Sequence, residues 1–476
     1  MAMGHNEPSD PPPAVARPQD GPARTAGQLP LEPFRHQRPT TIGLLDLDVS
    51  AVAVLPGEAG RAGDATPVQA VDGRAAKPRD AMLLVRLHGE PLGILYVDRP
   101  LGELGAEALS ELVWTRLATA IRRHISQAGC TTLPDSGRDL GRLSAETTTC
   151  RLDMAGQPSG SVAVIVPTVG RGHELRRCLA MLADLPGPDY EVIVVDNRPG
   201  FGETRAIVGE ASSRAEHPIT YLEESRPGSS AARNRGAAQS NAEILVFTDD
   251  DVVVDRDWLR WLVAPFACAE VGATTGLVLP LELETPAQKL FELYSGFSLG
   301  LDRRSYDLGP NRADNRLLYP FWGGMFGSGA SMAFRRSSFV AGGGFDPALG
   351  TGQDIDALSA AVLRGERLVY QPRSICWHAN HRDGAALRRQ LFNYGAGFTA
   401  VLTKAATHDR RFGGAVLRSL PVARDLYRRR RSQTPDSRPT LPRELARLER
   451  LGMVWGPLRY AIGLSRSRRI ARTVAR

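Results

Sequence analysis

The sequence predicts an α/β fold, with a mostly parallel sheet flanked by helices. Three strand-like runs, at 162–167, 191–196 and 243–248, are almost entirely apolar instead of alternating with polar residues. Strands that are apolar on both faces are typical of parallel sheets covered by helices. Helix-like segments separate these runs, and such alternation is what parallel pairing requires. A small α+β domain precedes this unit and a basic helical tail follows it.

The composition is that of a globular protein, with 42% hydrophobic and 23% charged residues among 476. This length suits two or three domains of about 100–200 residues each. No apolar run approaches the roughly 18 residues of a membrane span, and residues 1–7 lack a signal-peptide core. The five cysteines form no CxxC pair, which argues against a disulfide framework and a structural zinc site. We therefore expect a cytoplasmic protein.

Changes in composition divide the chain into five segments. Residues 1–38 are rich in Pro, Ala, Gly and Arg, and we expect them to be disordered. Residues 39–128 combine short strand-like runs with one helical stretch, which predicts a small α+β domain whose role the sequence does not reveal. Residues 129–160 have the composition of a linker. The large α/β domain is predicted at 161–405 and the Arg-rich tail at 406–476.

Polar and acidic side chains follow the three apolar runs. Thr168 follows the first, Asp196 ends the second, and Asp249, Asp250 and Asp251 follow the third. Because ligands of open parallel sheets bind beyond the carboxyl ends of the strands, we expect these residues along one edge. Consecutive carboxylates there favour Mg²⁺ or Mn²⁺, whose remaining ligands are often substrate phosphates. A helix N-cap followed by solvated acids is the alternative, which the triplet alone leaves open.

The motifs in this region resemble those of the family 2 glycosyltransferases with the GT-A fold. They are VIVPT at 164–168, VVDN at 194–197, GSSAARNRG at 228–236 and FTDDD at 247–251, in that order. The resemblance extends over about residues 161–404. It implies an inverting transferase that takes a sugar from a nucleotide-sugar donor.

The resemblance also implies a role for each acid. It assigns Asp196 to the nucleobase, with Thr168 in the same pocket, and makes the triplet a DxD-type element. Asp251 is then the first choice as the Mg²⁺ or Mn²⁺ ligand, with Asp249 on the ribose or the water shell of the metal. Asp249 and Asp250 are both assigned to the donor side. We expect the Asp250 side chain to point elsewhere, since neighbouring residues at a strand end face opposite sides.

Two further residues complete the expected donor and catalytic groups. Arg233 fits a base or a phosphate, because guanidinium matches planar and anionic partners, and a helix-surface charge is its alternative. At 353–354 the family usually has Glu-Asp, whereas this chain has Gln353 and Asp354. Asp354 is the candidate general base, which would take the proton of an acceptor hydroxyl. Its alternative is a helix N-cap, a role that Asp356 could also fill.

The downstream motifs suggest a second metal ligand and an acceptor side. By resemblance, His378 is a metal-side ligand after a short strand at 367–370, with His381 as the alternative. The polar segment 302–320 is predicted to be a mobile loop. The aromatic and Gly-rich segment after it resembles the acceptor side of the family and includes Trp322 and Gly329. Trp322 could stack on a sugar or pack under the loop.

The tail carries the basic character of the protein. The whole chain has a net charge of +7, but residues 410–476 alone contain 18 Arg and 4 acids. An apolar stripe is predicted on a helix in this segment, at Leu441, Leu445, Leu448, Leu451 and Val454. Such a helix could lie on an anionic membrane or dock on the catalytic domain. Membrane binding would place the protein at the inner face of the cell membrane; nucleic acid is not expected as a partner.

The function predicted is metal-dependent, inverting transfer of a sugar from a nucleotide diphosphate to a hydroxyl acceptor. The acceptor would be a glycan or a lipid-linked molecule in cell-envelope or other glycan assembly. One rival is a nucleotidyltransferase, although its Gly-rich signature is missing after the first strand. A second is a non-catalytic protein that binds polyanions or membranes on a degenerate transferase fold. The acids Asp249, Asp251 and Asp354 argue against this second rival.

Overall fold

The computed structural model describes most of the large domain and parts of the flanking segments. The described residues are 40–47, 52–53, 66–67, 69–70, 80–99, 104–128, 134–140, 160–200, 203–313, 318–321, 324–408 and 441–474. The predicted disordered segment 1–38, most of the predicted linker and much of the Arg-rich tail lie outside them. The predicted domain boundaries stay predictions.

The first part of the chain forms a small α+β unit. Its elements are β1 (Thr41–Asp46), β2 (Val52–Ala53), β3 (Thr66–Pro67), β4 (Gln69–Ala70), β5 (Ala81–Leu87), β6 (Glu90–Val97) and α1 (Ala106–Ala128). Four strands form a sheet in the order β4-β1-β5-β6, and β2 pairs with β3. A hairpin joins β5 to β6, which pair antiparallel. Its turn residues His88 and Gly89 have φ values of 50° and 70°, as a two-residue type I′ turn requires.

The large domain alternates strands and helices as predicted. Its elements are β7 (Val162–Thr168), α2 (Gly172–Leu182), β8 (Tyr190–Asp196), α3 (Thr204–Ser212), β9 (Ile219–Glu223), α4 (Ser229–Gln239), β10 (Ile244–Phe247), β11 (Val252–Val254), α5 (Trp258–Val263), β12 (Val271–Pro280), α6 (Pro286–Ser295), β13 (Arg304–Tyr306), β14 (Met332–Arg335), α7 (Arg336–Ala341), α8 (Gln353–Leu363) and β15 (Arg367–His378). Helices α9 (Gly384–His408) and α10 (Arg443–Val474) follow.

Nine strands of the described chain build the central sheet. Their order is β11-β15-β12-β14-β10-β7-β8-β9, with β13 on β15. Pairing is parallel from β10 through β7 and β8 to β9, and again between β12 and β15. Strands β14, β11 and β13 run antiparallel to their neighbours. Six of the nine strands therefore point in one direction, and the predicted α/β class with a mostly parallel sheet flanked by helices is confirmed.

Two features of the second half of the sheet differ from the sequence prediction. Strands β12 and β14 were not predicted. The short strand predicted at 367–370 is wrong in length, because β15 continues to His378. It does so because β12 pairs with it along its whole course, with register shifts that accommodate a break in pairing near Gly276. Part of the predicted mobile loop is also ordered, since β13 pairs with β15.

The small unit packs directly on the large sheet. Ile42, Met82 and Leu84 belong to the same hydrophobic cluster as Leu281 and Leu283. An antiparallel bridge joins Thr40 to Leu283 as well. Burial of this shared apolar surface, at about 25 cal/mol per Å², favours one fixed arrangement of the two parts.

A largely buried arginine, with a side chain 13% exposed, reinforces this contact. Arg86 on β5 lies 2.6 Å from Asp46 on β1 and 2.8 Å from Asp255, which precedes α5. Burial alone would lower the pKa of Arg86, but Asp255 and Asp46 outweigh it and raise the pKa. Removing one partner would leave a buried charge uncompensated, which is costly. These ion pairs therefore favour the observed contact between the small unit and the large domain over any arrangement that would separate Arg86 from Asp255.

Helix α10 packs on α9. Docking on the catalytic domain was one of the two alternatives that the sequence left open for the tail helix. The predicted apolar stripe does not stay on one face, however, and this part of the prediction is wrong. Leu445 is buried, whereas Leu451 and Val454 are 59% and 80% exposed. After Leu445 the apolar residues follow at intervals of three positions, and three positions turn about 60° less than one full turn of the helix. Over three steps the stripe moves to the opposite side of the helix.

Glycines form much of the contact between α9 and α10. A Cβ at Gly452 would overlap the carbonyl oxygen of Phe392, and a Cβ at Gly395 would overlap that of Glu449. The two helix backbones therefore approach closely. Within the described ranges, no helix combines the length and the apolar character needed to cross a membrane.

Replacing Gly452 with valine is expected to dislodge α10, because the backbone of α9 cannot yield easily. The expected loss is about 1–3 kcal/mol of stability, as for other overpacked contacts. A lower thermal midpoint and faster proteolysis of the tail would be measured. The control is Gly209→Ala, a helical position with no neighbour within 4 Å of the added Cβ, which should not lower the midpoint. Equal midpoints for Gly452→Val and wild type would contradict the close contact.

Candidate functional site

The carboxyl ends of the parallel strands form one edge of the sheet, as predicted. Thr168 at the end of β7 stands opposite Asp196 at the end of β8. Strand β10 pairs with β7 up to Phe247 opposite Ile165, so the aspartate triplet leaves the sheet beside Thr168. The alternation of strands and helices thus brings these residues together.

His378 joins the triplet from the far end of the sheet. Strand β11 follows the triplet directly and pairs antiparallel with β15, with Val252 opposite His378. The backbone N–H of Ala379 also donates to the carbonyl of Asp251, at 3.1 Å. As a result, ligand atoms of Asp249, Asp251 and His378 lie within 4.8 Å of one another. The pairing of β11 with β15 is what creates this group.

The chemistry of the group fits a divalent metal ion. Two carboxylates and one imidazole nitrogen are ordinary ligands of Mn²⁺, and Mg²⁺ would use chiefly the carboxylates. The buried Oδ1 of Asp251 has no hydrogen-bond partner among the described residues, and the Nε2 of His378 is 3.5 Å from it. Burial would raise the pKa of Asp251, but His378 and Arg171 outweigh it and lower this pKa. The carboxylate is therefore ionised and available as a ligand.

Arg171 is a member of the site that the sequence analysis missed. It lies in the turn after β7, and its Nη1 hydrogen-bonds to Asp251 and is 3.3 Å from Asp250. Burial would lower its pKa, but Asp251 and Asp250 outweigh burial and raise the pKa. The only sequence signal was an arginine three residues after Thr168. Its positive charge offsets the repulsion among the clustered carboxylates.

Asp250 points away from the metal-binding group, as expected. Its Oδ2 accepts a hydrogen bond of 2.7 Å from the Oγ1 of Thr168, and its carboxylate is not part of the candidate metal group. Burial raises the pKa of Asp250 to about 6, although Arg171 opposes the shift. Asp250 therefore links the triplet to the end of β7.

Arg233 connects the acidic group to Asp354. From α4, its Nη2 donates to Asp249 at 2.6 Å and to the carbonyl of Gly329 at 3.3 Å. The N–H of Gly329 in turn donates to the Oδ2 of Asp354, at 3.0 Å. Asp354 lies in the first turn of α8, and Gln353 beside it is hydrogen-bonded to Ser229. The structure thus links the candidate base to the triplet through a chain of hydrogen bonds.

Asp196 lies in a separate polar corner of the same edge. Its Oδ1 accepts from the backbone N–H of Arg198 at 2.9 Å, and its Oδ2 accepts from the hydroxyl of Tyr221 at 3.1 Å. Asn197 fixes the adjoining loop through the N–H of Gly228. Burial raises the pKa of Tyr221 to about 12, with Asp196 contributing. The hydroxyl therefore stays protonated and orients this carboxylate.

Trp322 and His381 are the two remaining candidates from the sequence. Trp322 lies outside the described residues, so the alternatives for it stay open. His381 is near the site, and burial followed by the charge of Arg171 lowers its pKa. The candidate metal group found among the described residues contains His378 and not His381.

Behind His378 lies a buried polar chain that no sequence motif signalled. The Oδ1 of Asn380 is 3.1 Å from the Nδ1 of His378, and the Nδ2 of Asn380 donates to Glu292 at 3.4 Å. Because an amide oxygen only accepts, this contact uses the N–H at Nδ1 of His378, and Nε2, which faces Asp251, is the nitrogen that could bind a metal. Asn380 therefore orients the imidazole toward Asp251.

Replacing Asn380 with alanine is expected to weaken binding of Mn²⁺ by about 10–100-fold, as is typical for residues that orient a metal ligand. The reason is that the imidazole of His378 loses its fixed tautomer and orientation. Titration of the protein with Mn²⁺, followed by electron paramagnetic resonance of the free ion, measures the affinity directly.

A matched control for this variant is Asn311→Ala. The Nδ2 of Asn311 also donates a side-chain hydrogen bond, to Asp307 at 2.6 Å, but this loop follows β13, which pairs with the opposite end of β15 from His378. Its Mn²⁺ affinity should equal that of wild type. An unchanged affinity for Asn380→Ala would mean that His378 does not depend on this contact.

Glu292 should make stability depend on pH. Its burial raises the pKa from 4.5 to about 8, so the stabilisation that depends on its proton is complete below pH 4.5 and is lost as pH rises through about 8. Glu292→Gln keeps the shape without the charge, and should be more stable than wild type at pH 9 and similar near pH 4.5. Urea unfolding across this pH range measures the difference in the free energy of unfolding between the variant and wild type, which we expect to be on the order of a few kcal/mol at most. The exposed Glu216→Gln should leave the profile unchanged; a Glu292→Gln profile parallel to wild type would contradict the prediction.

Comparison with known proteins identifies the large domain. Residues 163–341 match the family model of glycosyl transferase family 2. The chain is 27% identical over 270 residues to the pre-mycofactocin glycosyltransferase of Mycobacterium tuberculosis, covering 56% of this chain and 53% of that protein. It is 35% identical over 119 residues to the glycosyltransferase AglE of Haloferax volcanii, covering 25% of this chain and 39% of that protein. The chain thus spans about half or less of the length of these relatives.

A solved structure is similar as well. It is the mannosyltransferase PcManGT from Pyrobaculum calidifontis in complex with GDP-Man and Mn²⁺, with a TM-score of 0.41 and 19% identity, covering 66% of this chain and 76% of that one. The family match spans the strand ends that carry Thr168, Asp196 and the aspartate triplet. The resemblance drawn from the ordered motifs is confirmed, because residues 163–341 of the large domain match the family model of glycosyl transferase family 2.

Proposed function

We propose that this protein is a metal-dependent, inverting glycosyltransferase that moves a sugar from a nucleoside-diphosphate donor to a hydroxyl acceptor. One observation carries the proposal. The Asp249, Asp251 and His378 group is joined through Arg233 and Gly329 to the carboxylate of Asp354. Hydrogen bonds therefore connect the candidate cation site to the candidate base, and transfer from a diphosphate would use both together.

The metal would be Mn²⁺ or Mg²⁺, held by Asp249, Asp251 and His378. A metal ion held there would supply positive charge to offset the negative charge that grows on the donor diphosphate as the sugar leaves. The imidazole in the ligand set favours Mn²⁺, because Mg²⁺ prefers oxygen ligands. Arg171 and Arg233 add positive charge beside the carboxylates and suit the phosphate oxygens.

The donor nucleotide would lie along the carboxyl edge of β7 and β8. Asp196, oriented by Tyr221 and the N–H of Arg198, can accept hydrogen bonds from the N–H groups of a base. Thr168 and Asp250 would border the ribose. Of the two partners considered for Arg233, phosphate is favoured over base, since this guanidinium pairs with Asp249 in the metal group.

Asp354 would act as the general base. Its carboxylate would take the proton of the acceptor hydroxyl while that oxygen attacks the anomeric carbon, and the bond from this carbon to the diphosphate would break on the opposite face. The N–H groups of Gly329 and Ile355 hold the two carboxylate oxygens. Gln353, at the position where the family usually has Glu, leaves Asp354 without a second charge beside it.

The acceptor side would be formed by the segment that contains Trp322 and Gly329. A glycan or lipid-linked hydroxyl in cell-envelope assembly is the proposed acceptor class, at the cytoplasmic face of a membrane. The mycobacterial relative is named for pre-mycofactocin, so a non-glycan hydroxyl acceptor belongs in the same test.

Donor specificity can be tested without knowing the acceptor. Thermal stabilisation by UDP, GDP and dTDP, each with and without Mn²⁺, identifies the nucleotide, and hydrolysis of the matching nucleotide sugars then reports activity. We expect one nucleotide to stabilise the protein only when the metal is present. No stabilisation, hydrolysis or transfer with any donor would favour the non-catalytic alternative.

Asp354→Asn is expected to reduce kcat by about 10²–10⁴-fold, the range for loss of a general base. The donor dissociation constant should change little, since asparagine keeps an oxygen that can accept from Gly329. Steady-state kinetics and calorimetric donor binding separate the two quantities.

The matched control is Asp356→Asn, two residues along the same helix. Asp356 pairs with Lys404 at 2.7 Å, so its replacement should lower the thermal midpoint while kcat stays within a few-fold of wild type. If Asp354→Asn instead lost donor binding, Asp354 would belong to the donor site. If Asp356→Asn lost kcat alone, the assignment of the base would be wrong.

A further inference from the structure

Helix α10 has two apolar faces. One face packs on α9 and its surroundings through Leu445, Gly452, Gly456, Tyr460 and Gly463. Small residues dominate this face, which lets the backbones approach. Five other large apolar residues of the same helix are exposed.

The second face is exposed. We call it the exposed band; it consists of Leu451 at 59%, Val454 at 80%, Trp455 at 46%, Leu458 at 49% and Ile462 at 53% exposure. These positions are spaced by three, one, three and four residues, so they form one stripe on the helix. The stripe is about 16 Å long, from the rise per residue of an α-helix. Half of the large apolar residues recorded as exposed in the described chain lie in it.

Arginines stand at both ends of the exposed band. Arg447 and Arg450 precede it, and Arg466, Arg468 and Arg469 follow it, all with exposed side chains. From residue 443 to 474 the sequence has eight Arg and only two acids, Glu444 and Glu449. Arg447 and Arg469 project within about 40° of Leu451 at 100° per residue. Their long side chains can reach anionic groups beside the band.

We propose that the exposed band binds an anionic lipid surface, with α10 lying parallel to it. The apolar side chains would enter the acyl boundary, and the flanking arginines would meet the phosphates of the headgroups. Trp455 would lie at the interface, where its ring and N–H suit both layers. The proposed enzyme would meet its acceptor at this lipid surface. Only this link to the acceptor rests on the proposed function.

A second copy of the chain fits the exposed band less well. Two such helices paired in antiparallel fashion would place the arginines before one band beside those after the other. Parallel pairing would align like ends. Either arrangement places positive charges of the two copies next to each other at both ends of the contact, and their repulsion is unfavourable. A lipid surface with negative headgroups instead complements both ends at once.

The test uses the full-length protein with vesicles of phosphatidylcholine alone or mixed with phosphatidylglycerol. We expect sedimentation with the anionic vesicles, weakened by salt because the arginine contribution is screened. The double variant Val454→Glu with Leu458→Glu should bind at least about tenfold more weakly, since two buried apolar side chains would be lost from the lipid. The matched control is Val340→Glu, which places a charge on another exposed valine, 65% exposed on α7, and should bind as wild type does.

A second measurement locates the contact on α10. Lipids that carry a nitroxide near the headgroup should quench tryptophan fluorescence of the wild type, and Trp455→Phe should lose most of this quenching while still binding. Thermal midpoints equal to wild type show that the variants are folded. This readout does not depend on transfer activity, so failure of the lipid proposal and failure of the proposed function can be told apart.

Two results would overturn the proposal. The first is anionic-vesicle binding by the double variant equal to that of wild type, which would assign lipid binding to another part of the chain. The second is a wild type that does not bind vesicles, whether or not it forms a dimer that the double variant abolishes. A dimer lost in this way would make the exposed band an interface between copies of the chain.

Discussion

Concentrated negative charge at one edge of the sheet is the constraint on which the rest of the site depends. Three consecutive aspartates leave β10 within reach of one another, and their mutual repulsion must be offset. Arg233 meets Asp249, Arg171 meets Asp250 and Asp251, and His378 approaches Asp251. Each partner comes from a different element. The strand ends, α4 and β15 are therefore tied together by the same charges that would hold a metal ion.

The surrounding fold supplies the support that this charge needs. Asn380 and Glu292 orient His378 from behind, while Gly329 joins Arg233 to Asp354. The small N-terminal unit packs on the large sheet next to α5 through a shared apolar cluster and the ion pairs of Arg86. It thus adds packing to the domain that carries the site. Precise positioning of reacting groups depends on such supporting contacts.

Much of the donor edge could be predicted from the sequence, because parallel strands bring their carboxyl ends to one side. That rule placed Thr168, Asp196 and the aspartate triplet together. It did not single out Asn380 or Arg171, because neither belongs to a motif or a spacing that indicates a function. The tail shows the same limit. Leu445 and Val454 lie in one apparent stripe in the sequence, yet helix rotation over nine residues puts them on opposite faces, one docked and one exposed.

The sequence by itself determined the α/β alternation, the strand-end acids and the family that residues 163–341 match. These depend on local patterns, namely apolar runs, their spacing and short motifs. Only the tertiary structure decided that β15 is long and pairs with β11, and this pairing brings His378 to Asp251 across more than a hundred residues. It also decided which face of α10 is covered. Both outcomes depend on long-range pairing and packing between distant segments, and such contacts leave no local pattern in the chain.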